Sequence, residues 1–357
     1  MRDWGAPAGN PVRLYLADAD ASLAAQIREW AGAAPGAFSL EAFPSNRQLL
    51  RRVEFECPDA VLLDVTMPRL DGLTALRALR STGVPVVMLS PNTIEGARAA
   101  IEALVAGAAD CFLKKRHHRQ PRLAMTGPQF VRRIRRAIVE HDADSPSRAQ
   151  TTWRSIEVDD RGRVVAGRPH PVPFPRRESW VGLAWTPMRS LGRLVRSLAA
   201  APERPPGGML LGACLPQRYT RALAEGAARH WNRVVLELQA GESLRPGQWR
   251  VIPGRHHVRM TGNGSAGAHL ALENNRLAEE ESALARQLAL LDGAAASQLR
   301  LYLYEQPTGQ SGQVLHRLLE AGCTVLLHGE AAATLRFELE EKHADQDYCG
   351  KHGRSAA

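Results

Sequence analysis

The stretch VLLDVTMPRLDG, Val61 to Gly72, contains an apolar run that ends in a carboxylate. A run of Val and Leu without polar alternation is typical of a strand buried on both faces of a parallel sheet. Asp64 follows this run directly, and a buried carboxylate strongly destabilises a fold unless a cation or hydrogen bonds compensate it. The stretch therefore requires a fold that brings a compensating group to the end of a buried strand.

Strand-like and helix-like patterns alternate on both sides of this stretch. The predicted strands are residues 12–17, 60–64, 84–90 and 109–113, and the predicted helices are residues 21–30, 72–80, 94–106 and 130–140. Alternation at this spacing predicts βαβ units, and hence an α/β domain with a parallel sheet and right-handed crossovers.

Polar residues stand at the ends of these strands. Asp18, Asp64 and Ser90 each end or follow a strand, Asp20 lies close behind the first, and Lys114 follows the fourth. Ligands of open α/β sheets bind outside the carboxyl ends of the strands, so these side chains are expected to converge. Carboxylates that converge need a cation, and oxygen ligands suit Mg²⁺. Taken singly, each residue is better explained as a helix cap, a turn or a solvated side chain; taken together they predict a site where Asp64 acts as a nucleophile.

The length of 357 residues predicts two domains. A polar stretch rich in Pro and Arg separates two alternating patterns, and we interpret it as a linker with one hairpin-like piece near residues 156–165. The predicted parts are a tail (1–11), a first α/β domain (12–141), the linker (142–178), a second α/β domain (179–345) and a polar tail (346–357).

Composition argues against secretion and membrane insertion. The N-terminus MRDWGAPAGN is not an apolar signal segment, and no run approaches 18 apolar residues. The five cysteines are scattered and form no CxxC, which is typical of reduced thiols in a cytoplasm. We therefore expect a cytoplasmic protein.

The net charge of +9 favours phosphates or acidic partners. Residues 112–139 contain nine Lys and Arg residues and no Asp or Glu. The helix at 130–140 is either a solvated basic face or a docking face for an acidic protein. Nucleic acid ranks below both, because we find no helix-turn-helix or zinc pattern.

Three segments of the first domain, LLDVTMPRLDG, VPVVMLSPNT and GAADCFLKK, resemble response-regulator receiver domains. The resemblance implies a (βα)5 flavodoxin-like fold with Asp64 as phosphoacceptor and with Ser90 and Lys114 as switch residues. It also implies Mg²⁺ held by Asp18, Asp20, Asp64 and the backbone carbonyl of Thr66. Two positions depart from the pattern: the second acid, Asp20, is displaced by one residue, and Cys111 stands where a switch aromatic is usual.

The segment GESLRPGQWRVIPGRHH in the second half is similar to the chemotaxis protein-glutamate methylesterases, the CheB family, whose receiver also resembles residues 84–115. The resemblance implies a second doubly wound, Rossmann-like α/β domain that hydrolyses methyl-glutamate esters with Ser, His and Asp. The matching positions hold Ala184, Cys214 and Gln310, or Ser311 if the register shifts by one. A triad needs a hydroxyl, an imidazole and a carboxylate, so all three roles are vacant.

Two hypotheses follow from this resemblance. In the first, a histidine kinase phosphorylates the receiver, which controls a catalytically inactive CheB-like domain that binds receptor or kinase. In the second, the chain is a working methylesterase that acts on methyl-accepting chemoreceptors. Its active site would be rebuilt around Cys214, with His256 or His257 as base. The vacant triad favours the first hypothesis.

Overall fold

The computed structural model divides into two compact units. The first comprises residues 1–149 together with Met188–Arg196, and the second comprises residues 150–187 and 197–357. The structure describes residues 11–67, 71–117, 120–143, 153–158, 164–170, 180–199, 201, 204–264, 267–274, 280–291, 296–304, 307 and 309–328. The tail predicted at 346–357 and nearly all of that at 1–11 lie outside these ranges. Within the described residues, every helix is too short or too polar to cross a bilayer.

The first unit is built on a six-stranded sheet with the order β2-β1-β3-β4-β5-β6. The first five strands are parallel, and β6 pairs antiparallel with β5. The strands are β1 (Val12–Ala17), β2 (Phe38–Phe43), β3 (Ala60–Asp64), β4 (Val86–Pro91), β5 (Asp110–His117) and β6 (Gln120–Leu123). The helices are α1 (Ala21–Ala33), α2 (Asn46–Phe55), α3 (Gly72–Leu79), α4 (Ile94–Val105) and α5 (Gly127–Ala143).

This sheet confirms the predicted (βα)5 flavodoxin-like architecture. The strand order reverses between β1 and β3, so the crevice of the sheet opens where Asp18 and Asp64 stand. All five residues of β3 are buried, as its apolar run predicted. The predicted strands and helices did not include β2 and α2, although FSLEAF alternates apolar and polar residues and the buried Leu49 and Val53 lie four residues apart.

The core on one face of this sheet is aromatic. Phe130 of α5 packs against Trp30, Phe38 and Phe112, with ring centroids 5.2 to 5.9 Å apart. Ile134 lies in the same cluster, so the apolar side of the basic helix packs inward as its period predicted.

A buried ion pair joins β5 to α5. The side chain of Asp110 is 1% exposed, and Arg133 donates to its two carboxylate oxygens at 2.6 and 3.0 Å. The Arg133 guanidinium also lies over the Phe112 ring, 4.5 Å from its centroid. Burial raises the pKa of Asp110, while Arg133 acts in the opposite direction. One of the arginines of the basic helix therefore holds the fold together.

The second unit contains an eight-stranded mixed sheet with the order β11-β13-β10-β9-β16-β17-β7-β8, and a three-stranded sheet with the order β12-β15-β14. The strands are β7 (Trp153–Val158), β8 (Val164–His170), β9 (Val181–Thr186), β10 (Met209–Ala213), β11 (Val235–Glu237), β12 (Ser243–Leu244), β13 (Trp249–Val251), β14 (His256–Gly264), β15 (Gly267–Asn274), β16 (Leu299–Leu303) and β17 (Thr324–His328). The helices are α6 (Leu191–Leu198), which begins in the segment grouped with the first unit, α7 (Gln217–Trp231), α8 (Glu280–Ala289) and α9 (Gly309–Glu320).

The six strands from β11 to β17 are parallel. From β9 the chain builds outward through β10 on one side and through β16 on the other, which is the predicted doubly wound arrangement. The stretch predicted as a linker at 142–178 is structured in part. Its strands β7 and β8 form an antiparallel hairpin, and β7 pairs with β17. The hairpin thus forms one edge of this sheet.

One edge of the three-stranded sheet is completed by a side chain. Gln287 of α8 is fully buried, and its amide accepts from Val258 N at 2.9 Å and donates to Val258 O at 2.8 Å. The side chain thus makes the pair of bonds that a neighbouring strand would make to β14.

We predict that Arg133→Met lowers the free energy of unfolding of the first unit by about 3 kcal/mol, because it leaves the Asp110 carboxylate buried without its cation. Hydrogen exchange of amides in β1 and β3 measures this loss. The matched control is Arg132→Met, whose side chain is exposed; we expect a change below about 0.5 kcal/mol. Equal effects of the two variants would contradict the structural role of the ion pair.

Candidate functional site

Asp64, Asp18 and Lys114 meet at the C-terminal edge of the first sheet. Lys114 Nζ lies 2.7 Å from Asp64 Oδ2 and 3.4 Å from Asp18 Oδ2. The three side chains are 9% exposed or less. Lys114 is therefore the cation that compensates the carboxylate at the end of β3, and it is shared with a second carboxylate. The described part of the site has two negative charges and one positive charge.

The second oxygen of Asp64 is held by its own loop. Thr66 donates to Asp64 Oδ1 through its backbone N–H and its hydroxyl, each at 3.0 Å. The Asp64 carboxylate is thus fixed on one side by Thr66 and on the other by Lys114.

The Asp-Gly pair that follows the loop has a structural role. Asp71 caps α3 by accepting from Thr74 N at 2.8 Å, and hydrogen bonds from Thr74 lower the pKa of Asp71. A Cβ on Gly72 would lie only 2.5 Å from the backbone oxygen of Asp64. Glycine is therefore required at this position for α3 to start this close to Asp64. The Asp-Gly pair in the sequence is the signal from which this requirement could have been predicted.

The first strand supplies two aspartates that face different ways. Asp18 is buried and accepts from Asp20 N at 2.8 Å; burial raises its pKa, and Lys114 opposes that shift. The exposed Asp20 instead caps α1, where its carboxylate accepts from Ser22 N at 2.8 Å and Ser22 Oγ at 2.6 Å. These bonds from Ser22 lower the pKa of Asp20. In the structure, Asp18 lies at the site and Asp20 is the N-cap of α1.

Ser90 reaches the same edge at the end of β4. Its side chain is fully buried, and its hydroxyl donates to Gly96 O of α4 at 2.8 Å. A Cβ on Gly96 would lie 2.3 Å from Pro91 O, so the turn from β4 into α4 is closely packed. Ser90 therefore links the edge of the sheet to the first turn of α4.

Two carboxylates of this site, those of Asp18 and Asp64, are candidates to hold Mg²⁺. No three His, Cys, Asp or Glu side chains of the described chain lie close enough to share a metal ion. Mg²⁺ in proteins is often held by only one or two carboxylates and keeps several waters. The converging carboxylates of Asp18 and Asp64 fit that pattern. The ligand role predicted for Asp20 stays a prediction.

In the second unit, the strand order places the three elements that hold or precede the triad positions next to one another. Ala184 lies inside β9, between β10, which precedes Cys214, and β16, which precedes Gln310. Ala184 is fully buried within the strand, Cys214 packs against the apolar core, and Gln310 is exposed at the start of α9. None of the three side chains is a hydroxyl, an imidazole or a carboxylate, and their assignment to the triad positions stays a prediction.

Trp185 follows Ala184 in β9, and its side chain packs in the apolar core on the other face of the strand. A Cβ on Gly212 of β10 would lie 2.2 Å from its indole ring, so the ring rests on the β10 backbone. The same ring stacks on His257, with centroids 6.0 Å apart and planes at 22°. Trp185 and His257 are 5% and 1% exposed. Of the two imidazoles considered as a base for Cys214, His257 is therefore packed in the core and His256 is half-buried; the stacking of His257 on Trp185 could not be predicted from periodicity.

The first unit matches a known family of domains. Residues 14–126 match the model of the response regulator receiver domain. The match covers the sheet that holds Asp18, Asp64, Ser90 and Lys114. The first unit is a receiver domain.

The relatives of the chain extend beyond the receiver domain. It is 28% identical over 262 residues to a protein-glutamate methylesterase/protein-glutamine glutaminase of Symbiobacterium thermophilum, covering 71% of this chain and 70% of the relative. It is 31% identical over 223 residues to a protein of that name, from a group 3 operon, in Rhodopseudomonas palustris; the match covers 60% of this chain and 58% of the relative. The chain thus joins a receiver domain to a region homologous to CheB-type proteins.

Among solved structures, the response regulator domain of Thermotoga maritima CheB is 24% identical. It covers 36% of this chain and 98% of its own, with a TM-score of 0.31. The receiver domain of a sensor histidine kinase from Pseudomonas aeruginosa, whose structure has a magnesium ion in its active-site cleft, is 23% identical, with the same coverage values of 36% and 98% and a TM-score of 0.30.

We predict that Asp20→Ala lowers the stability of the receiver domain by about 1 kcal/mol, because α1 loses its N-cap. Asp20→Asn keeps a good cap and should change stability by only a few tenths of a kcal/mol. Calorimetric titration with Mg²⁺ should give the same affinity for the Asn variant and the parent. A tenfold weaker affinity of the Asn variant would instead assign Asp20 to the metal.

Proposed function

We propose that the protein is a chemosensory response regulator that a histidine kinase phosphorylates on Asp64. The observation that carries the proposal is the Lys114 ammonium shared between the buried carboxylates of Asp64 and Asp18. A buried nucleophilic carboxylate beside a cation, at the reversal point of the sheet, suits capture of a phosphoryl group. The proposal places the protein in the cytoplasm with a chemotaxis-type kinase and chemoreceptors as partners.

The chemistry proposed for Asp64 is a simple displacement. An oxygen of its carboxylate attacks phosphorus, an O–P bond forms, and the bond from phosphorus to the donor nitrogen of phosphohistidine breaks with its electron pair on that nitrogen. Lys114 is close enough to stabilise the negative charge that is then added. Bound Mg²⁺, held by Asp18, Asp64 and the Thr66 carbonyl, would supply further neutralisation of the phosphoryl oxygens.

The switch proposed for Ser90 and Lys114 depends on the one hydroxyl proton of Ser90. The Ser90 hydroxyl donates to Gly96 O, and it can donate to a phosphoryl oxygen only by releasing that carbonyl. Phosphorylation would thus loosen the link between β4 and α4 while Lys114 turns to the new anion. This is a local charge change acting on a packed element.

For the second unit we propose binding without ester hydrolysis. Ala184 has a methyl group at the position that the resemblance gives to the nucleophilic hydroxyl, and it is fully buried within β9. Loss of the nucleophile or the base of a triad lowers kcat by about 10⁶-fold in a well-studied hydrolase. We propose that this CheB-like unit acts by holding receptor or kinase.

We predict that acetyl phosphate with Mg²⁺ labels the parent protein and leaves Asp64→Asn unlabelled, because the amide cannot attack phosphorus. Intact-protein mass spectrometry after borohydride trapping measures the label. Asp59→Asn, which changes an exposed carboxylate five residues away, is the control and should label like the parent. Labelling that persists in Asp64→Asn would refute the assignment of the phosphoacceptor.

We predict no release of methanol from methylated receptor above background, with or without acetyl phosphate. Ala184→Ser alone should remain inactive, because the base position is Cys214 and the serine would be buried within β9. The methylesterase relative of Symbiobacterium thermophilum, assayed in parallel, is the positive control. Methanol release by the parent protein that Cys214→Ala abolishes would establish the rebuilt esterase instead.

A further inference from the structure

The strand β11 stands at one end of the eight-stranded sheet of the second unit. Within the described part of the chain, β13 is the only strand that pairs with it. Two large apolar side chains are exposed here: Val234, directly before the strand, is 74% exposed, and Leu236 inside it is 52% exposed. An edge strand that exposes apolar side chains favours pairing with a further strand.

The two faces of β11 differ in what covers them. Residues alternate between the faces of a strand, so Val235 and Glu237 share one face. This face lies under α7, because Val235 is 3% exposed and Glu237 accepts from Thr220 Oγ1 of that helix at 2.6 Å. The exposed Val234 and Leu236 share the other face. A partner strand beside β11 would therefore also cover these two side chains.

The backbone of β11 directs hydrogen-bonding groups to the side opposite β13. Leu238 N donates to Val251 O, next to β11, at 2.9 Å, and alternate residues of a strand turn their N–H and C=O groups to the same side. Leu236 therefore faces β13 as Leu238 does. Val235 and Glu237 direct their backbone groups away from β13, to the side where a strand of another molecule can pair.

The sequence around Val235 is complementary to itself. An antiparallel pair of two copies can place Val235 opposite its counterpart. Arg233 of one copy then lies opposite Glu237 of the other, and these charges are opposite in sign. Val234 lies opposite Leu236 in the same way, so each favourable pair occurs twice about the two-fold axis. A pair centred on Arg233 or on Glu237 would instead place like charges opposite each other.

The same register also suits the outward-facing backbone groups. Val235 and its counterpart can exchange both N–H···O bonds as a directly opposed pair, and Glu237 N–H can donate to Arg233 O of the second copy. The other two groups of that flanking pair are engaged within the chain. Arg233 N donates to Ala228 O at 3.1 Å, and Glu237 O accepts from Gln239 Nε2 at 3.2 Å.

We propose that β11 pairs antiparallel with β11 of a second copy of this chain, with the two-fold axis at Val235. The proposal is independent of the phosphorylation of Asp64. Because the edge is short, the dimer is weak and reversible, with a Kd on the order of 10 µM. The dimer carries two copies of the unit proposed to hold receptor or kinase, which raises its avidity for a clustered partner.

Sedimentation velocity of the full-length protein without a phosphoryl donor tests the proposal. The weight-average sedimentation coefficient should rise toward that of a dimer between about 1 µM and about 500 µM, the range of a small interface. Val234→Lys with Leu236→Lys sets like charges opposite each other and should weaken association about tenfold or more. Val234→Lys with Leu236→Glu sets unlike charges opposite each other and should bring the Kd back to within about threefold of the parent.

Phe55→Lys is the matched control, because it replaces an 85% exposed apolar side chain on α2 of the first unit; association should be unchanged. A disulfide trap tests the register. Val234→Cys with Leu236→Cys should give a covalent dimer on mild oxidation, since these positions are directly opposed across the axis. Either cysteine alone should not exceed the parent, whose exposed Cys57 sets the background.

Four results would overturn the proposal: a parent protein that stays monomeric at about 500 µM, association that is equal in the two-lysine variant, an equal loss in Phe55→Lys, or no covalent dimer from the cysteine pair. Hydrogen exchange at Val235 N–H identifies the other occupant. The proposal expects protection that disappears on dilution, whereas protection that persists in a monomer would assign the edge to another segment of the same chain.

Discussion

The ion pair between Lys114 and Asp64 is the constraint on which the receiver domain depends. A fully buried strand that ends in a carboxylate is stable only if a cation reaches its end, and Lys114 does so from β5 at 2.7 Å. The sheet order β1-β3-β4-β5 places β4 between these strands, so the pair spans the width of one strand. Asp18 then shares the same ammonium from the other side. Assembly of three strands in register is therefore coupled to formation of the site.

The second unit shows the same kind of sheet edge without that electrostatic demand. Its reversal point lies beside β9, where Ala184 is buried and Trp185 rests on the backbone of β10. The indole of Trp185 packs on a buried imidazole on one face of β9, and Ala184 has only a methyl group at the position predicted for a nucleophilic hydroxyl. The two units thus share an architecture and differ in what the strand ends hold, which is why the fold alone does not determine the function of either.

Much of the receiver domain was predictable because its signals are local. The apolar run before Asp64, the polar residues at the strand ends and the alternation of patterns together predicted the parallel sheet and the convergence of Asp64 with Lys114. The cap made by Asp20 was not predictable, since an aspartate shortly after a strand can ligate a cation or cap the next helix, and the sequence does not show that its carboxylate accepts from Ser22 N. The hairpin β5–β6 was missed because Lys and Arg are weak strand formers and Pro121 argues against a strand. The hairpin β7–β8 lies in a stretch of linker-like composition, and its pairing with β17 is a contact between residues far apart in sequence.

The amide of Gln287 has a consequence for how molecules of this protein meet one another. An edge strand with free N–H and C=O groups is a template on which a strand of another molecule can assemble. At Val258 both groups of β14 are already engaged by a side chain carried on α8. A strand of another molecule could pair with β14 at Val258 only by displacing the buried Gln287 amide and the helix that carries it. The Gln287 side chain therefore disfavours self-association at this point of the sheet edge.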